Sequence, residues 1–179
     1  VTTHKDHELH LSATERIDTD LYLSAPAEKA ALVILLHGHD YSKEDHAYQA
    51  VHLATWGIHS LAVQLPNSGP WVDNGRTLAR IVTLIHGRPE IIDGRIDADR
   101  IILVGHSFGG SAVAIALAEG APAAGGILLD PAGLGKDLPK FLRKIDKPVL
   151  LLGADERYSP VRERLTFYEY IRSGVAAVS

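Results

Sequence analysis

Apolar residues fall into short β-type runs separated by stretches with a helical period. Residues 31–36, 58–65, 100–104, 126–129 and 149–152 are rich in Val, Ile and Leu. Such runs suit strands covered on both faces, as in a parallel sheet. Residues 8–13 and 20–24 read as two short antiparallel strands at the sheet edge. Between the buried runs the period lengthens. Ser42 caps a helix with Asp45 in its first turn and Gly57 just past its end. Leu78, Ile81, Val82 and Ile85 recur at i, i+3, i+4 and i+7, one face of a helix that Gly87 ends. Residues 111–119 form a small-residue helix closed by Gly120 and Pro122. Ser159 and Pro160 open another as N-cap and first residue, and it runs to Gly174. Residues 66–70, Pro-Asn-Ser-Gly-Pro, are a loop.

Strands alternating with helices predict an α/β fold: a three-layer α/β/α sandwich around a mostly parallel sheet with right-handed crossovers. Residues 1–179 fit a single domain. In such sheets, sites lie at the carboxyl ends of strands.

Composition narrows the chemistry. Hydrophobic residues make up 46%, charged residues 22%, and the net charge is −4. Basic residues are scattered, which argues against nucleic acid as a partner. No apolar run reaches the roughly 20 residues of a membrane span. The profile is that of a soluble protein, with the cytoplasm slightly favoured over secretion. The absence of cysteine removes disulfides, thiol catalysis and Cys-ligated zinc.

Directly after Ile101-Ile102-Leu103-Val104 stands Gly105-His106-Ser107-Phe108-Gly109, a G-x-S-x-G turn between a strand and a helix. A serine hydroxyl attacks well when exposed, rigidly held and near a base. A sharp strand-to-helix turn achieves this, and flanking glycines remove side chains that would clash. The following helix also directs its N-terminal dipole at the site.

On these residues the chain resembles the α/β-hydrolase family, in particular its small-cap, dienelactone-hydrolase-like esterases and lipases. The resemblance runs from about residue 31 to the C-terminus. It implies Ser107 as nucleophile. It also implies that His37-Gly38-His39-Asp40, after the first buried strand, supplies the oxyanion site. The backbone N–H groups of His39 and Phe108 would hold the oxyanion, with Gly38 allowing close approach. An alternative is that His37 and His39 are polar residues of a surface loop, or metal ligands with Asp40; the resemblance implies no metal and no cofactor. The triad acid follows the fifth run in such proteins. Asp155 has the usual identity and Glu156 the usual position, with Asp130 a third candidate.

The base is the gap. All ten histidines precede Ser107 in the chain, whereas the resemblance places the catalytic His after the acid. Residues 175–179 read as the opening of a further strand, and the chain does not begin with Met. The expectation is a longer protein, with a last strand, a His-bearing loop and a closing helix to follow. His106, His37 and His39 are substitutes for the base with poorer placement.

The implied activity is cleavage of a carboxylic ester, or a related acyl bond, through an acyl-enzyme. The short 131–147 connection leaves no room for a large lid and favours small, accessible esters. Trp71, in the loop after the second parallel strand, either lines the pocket or covers the sheet edge. Rival readings are a non-catalytic binding protein of this fold, and thioesterase, acyltransferase or cofactor-free haloperoxidase chemistry at the same site. The oligomeric state is not readable.

Overall fold

The computed structural model describes residues 1–25, 29–154 and 161–178. Its strands are β1 (Thr2–His10), β2 (Arg16–Leu23), β3 (Ala30–Leu36), β4 (His59–Val63), β5 (Ile96–His106), β6 (Gly125–Leu129), β7 (Val149–Leu152) and β8 (Val175–Val178). They form one sheet in the order β1-β2-β4-β3-β5-β6-β7-β8. The β1–β2 hairpin is antiparallel and β2 runs antiparallel to β4, while every other pairing is parallel. The four residues of β8 pair with all four of β7.

The helices are α1 (Ala47–Thr55), α2 (Trp71–Gly87), α3 (Phe108–Ala118), α4 (Leu138–Leu142) and α5 (Val161–Tyr170). The segment after Ser42 is not one helix. A 3-10 turn, Lys43–His46, comes first, with Asp45 folding back on Ser42, and α1 follows. α5 ends at Tyr170, four residues earlier than the glycine signal at Gly174 suggested. Among the described residues, no helix is long and apolar enough to cross a membrane.

Side chains alternate across the central strands, as the pleat requires. Leu32, Ile34 and Leu36 of β3, Leu61 and Val63 of β4, and Leu103 of β5 join one cluster with residues of α2 and α3. Val33, Leu35, Ala62 and Val104 join the other, with Ala50 and Ala54 of α1. Phe167 of α5 belongs to the first cluster. On the α1 face, Ile102, Ile127 and Leu129 are only partly buried.

β1 begins six residues before the expected run. Its residues are polar apart from Leu9 and show no apolar face, because an edge strand here covers nothing on most of its length. A charged cluster fastens this hairpin to the 3-10 turn. The Lys43 ammonium lies 2.8 Å from Asp6, 2.5 Å from Glu44 and 3.3 Å from buried Asp20, and Lys5 also reaches Asp20. Asp6, Asp20 and Glu44 thus converge at the spacing of metal ligands, but a lysine already supplies the cation. Burial opposes the charge on Lys43; the hydrogen bonds it donates to Asp6, Glu44 and Asp20 outweigh it and raise its pKa.

Candidate active site

β5 ends at His106 and α3 begins at Phe108, so Ser107 is the single residue that turns strand into helix. Its backbone sits at φ 54° and ψ −125°. For a residue with a Cβ, such a conformation costs about 1–3 kcal/mol and persists only where the surroundings impose it. They do so here. The Ser107 N–H donates to the Leu129 carbonyl at 2.9 Å, and the Ser107 carbonyl accepts from Gly110 at 2.9 Å and Ala132 at 3.1 Å. The Ser111 hydroxyl adds a hydrogen bond to the Ala132 carbonyl. The start of α3 is pressed against the end of β3: a Cβ on Gly109 would overlap the Leu36 and His37 carbonyl groups.

The loop after β3 lies against this turn. A Cβ on Gly38 would come 3.1 Å from the Ser107 Cβ and 3.0 Å from the His106 carbonyl oxygen. Asp40 N–H donates to Asn67 O at 3.0 Å, and the Asn67 side chain returns a bond to Tyr41 O. The N–H groups of His39 and Phe108 find no acceptor among the described residues.

His37 is no surface residue, contrary to the surface-loop alternative. It is fully buried, and both ring nitrogens are engaged within the protein, which leaves none for a metal. His39 is half-exposed, its ring edge-on to Phe108 at 6.0 Å and its Nε2 3.4 Å from the Asp40 carboxylate. His106 is half-buried with its ring edge-on to Tyr41 at 5.6 Å.

Trp71 is not in a loop. It is the first residue of α2, 7% exposed, and stacks on Phe108 at 5.5 Å with 12° between the rings. The helix starts this early because Asn74 donates its side-chain amide to Pro66 O at 2.7 Å, folding the proline-rich segment onto the first turn. The proline and glycine signals masked that start. Trp71 therefore backs the residue after the serine from within the core.

Asp130 stands at the end of β6 with φ 44°. Its carboxylate accepts from Ala154 N–H at 3.2 Å and its own N–H donates to Leu152 O at 2.6 Å, tying the exits of β6 and β7 together. Asp155 and Glu156, like Ser159 and Pro160, lie outside the described residues.

Two further histidines are buried in neutral form. Burial pushes the pKa of His46 down, and neither of its ring nitrogens has a hydrogen-bond partner among the described residues. Burial, with Arg95 nearby, does the same for His59, whose Nδ1 accepts from Ser24 N–H at 3.1 Å. Both bind protons more readily unfolded than folded. Their contribution is present above the unfolded-state value, near 6.5, and is lost as pH falls below it. The expected result is a falling denaturation midpoint from pH 7 to pH 5, with a slope of at most about 2.7 kcal/mol per pH unit for two groups. Urea titrations check it, and a His46→Phe variant should flatten the curve. An unchanged slope in that variant would contradict this assignment.

Known proteins share this fold. A model of the alpha/beta hydrolase family matches residues 33–177. No curated protein matches the chain by sequence. The solved structure of 2,6-dihydroxy-pseudo-oxynicotine hydrolase superposes with a TM-score of 0.79 at 16% identity, over 96% of this chain; the chain spans 59% of that protein's length. Dienelactone hydrolase from Anabaena variabilis gives 0.77 at 17% identity, covering 98% of this chain and 86% of the other. Thermogutta terrifontis esterase 2 phosphorylated by paraoxon gives 0.75 at 14%, covering 96% and 80%. At such identities these likenesses speak for the fold, while the family model spans most of the chain. With a mostly parallel sheet and a strained serine between strand and helix, the chain belongs to the alpha/beta hydrolase family.

Proposed function

We propose that this hydrolase cleaves carboxylic esters, or related acyl bonds, through an acyl-enzyme on Ser107. The Ser107 oxygen bonds to the carbonyl carbon, and its proton passes through a base to the departing alkoxide. Water then releases the acid. The N–H groups of His39 and Phe108 donate to the oxyanion formed in each step. Asp155 or Glu156 orients the base, and Asp130, engaged with Ala154, shapes the loop. The base is assigned to none of the ten histidines here: His37 is fully engaged, and His39 and His106 sit on the oxyanion side. The mechanism calls for no cofactor.

The observation that carries this reading is the strained backbone of Ser107, held at a positive φ by backbone hydrogen bonds with Leu129, Gly110, Ser111 and Ala132. A bystander serine in a glycine-rich turn has no need of it. The short 131–147 connection favours small, accessible esters.

An organophosphate is the direct probe, since paraoxon phosphorylates the Thermogutta esterase. Incubation of the full-length protein with paraoxon or a fluorophosphonate, followed by peptide mapping, should find one adduct, on Ser107. No adduct, or one elsewhere, overturns the assignment.

A further inference from the structure

We propose that His37 is a positioning residue that aims the backbone N–H of His39 at the oxyanion. The inference rests on the esterase reading. It starts from two hydrogen bonds with opposite demands. His37 Nδ1 lies 2.9 Å from the Gly38 carbonyl oxygen, which can only accept. His37 Nε2 lies 3.1 Å from the backbone N–H of Leu65, which can only donate. The Gln64 side-chain amide also lies 3.1 Å from that nitrogen. Together the two backbone partners call for a proton on Nδ1 and a lone pair on Nε2.

The Gly38 carbonyl and the His39 N–H belong to one peptide unit. In a trans peptide these groups point in opposite directions, and the cis bond among the described residues is elsewhere. The Gly38 oxygen is held from one side by His37 and by the Tyr41 N–H at 3.3 Å. The His39 N–H must therefore point away from the buried ring, where it meets no protein acceptor among the described residues. Gly38 abuts Ser107, so the direction of this peptide matters at the reacting atom. Leu65 lies just beyond β4, and Trp71 packs its ring edge-on to His37 at 6.3 Å. The ring thus anchors the oxyanion loop to the neighbouring strand exit.

A pair of variants separates aiming from mere cross-linking. In His37→Asn the amide nitrogen takes the place of Nδ1 and still donates to Gly38, but nothing accepts from Leu65. In His37→Gln the amide reaches the place of Nε2 and accepts from Leu65, but residue 37 no longer donates to Gly38, whose oxygen keeps only the longer bond from the Tyr41 N–H. Each loses one buried hydrogen bond, so both should melt at similarly reduced temperatures. The expected result is that His37→Gln loses kcat/KM for an activated acetate ester by about tenfold or more, mainly in kcat, while His37→Asn stays near the wild type. Nitrogen-15 spectra of the wild-type imidazole should show the Nδ1–H tautomer, a readout independent of turnover. If His37→Asn is as slow as His37→Gln, or both are as fast as the wild type, the inference is overturned; so is it by an Nε2–H tautomer. A wild type with the Nδ1–H tautomer whose Ser107 never labels overturns the esterase reading on which it rests.

Discussion

Ser107→Gly should yield a protein that is harder to unfold and catalytically dead. Glycine adopts φ 54°, ψ −125° without the clash that a Cβ suffers there. Relief of about 1–3 kcal/mol of strain is set against about 0.5–1 kcal/mol for the greater freedom of glycine in the unfolded chain. The net gain is about 1 kcal/mol, or about 2–4 °C in Tm for a chain of this size. Ser107→Ala keeps the Cβ and the strain, so it should lose activity without the gain. Both should fall by about six orders of magnitude in ester turnover, as loss of a triad serine does elsewhere. Melting curves of the two variants decide the first part. Equal Tm values would mean that the turn stores no strain at this residue.

The second large effect is at Gly109. A Cβ there would press on the Leu36 and His37 carbonyl groups, backbone atoms that cannot swing aside like a side chain. Either α3 withdraws from β3 or the end of β3 moves, and both routes disturb the hydrogen bonds around Ser107. Overpacking costs about 1–3 kcal/mol in an ordinary core and more against a rigid backbone. Gly109→Ala should therefore melt at least about 6–12 °C lower, with ester activity falling further than stability alone requires. A variant within a few degrees of the wild type would refute the close approach.

What the sequence reveals depends on how local the signal is. The turn around Ser107 is announced by five consecutive residues, and the parallel strands by apolar runs that burial on both faces demands. The first six residues of β1 are hidden because an edge strand has no covered face to mark in its sequence. The first turn of α2 is hidden by prolines, since the contact that starts it, Asn74 to Pro66, is a side-chain event. His37 is the instructive miss. A histidine beside a glycine reads as a polar loop residue, yet its partner Leu65 stands 28 residues away and buries it completely. Only pairing across the sheet brings those two together. Trp71 is a similar case, because its partner Phe108 comes from another strand exit.

That stack gives the protein its own optical gauge. The chain has two tryptophans. Trp56 is 75% exposed just beyond α1, while Trp71 is buried face to face with the residue next to the serine. An aqueous quencher such as iodide should silence Trp56 and leave the blue-shifted emission of Trp71. The remaining light comes from a ring in contact with Phe108, so a substrate or inhibitor arriving at Ser107 can be followed without a chromogenic label, in real time and at natural concentration.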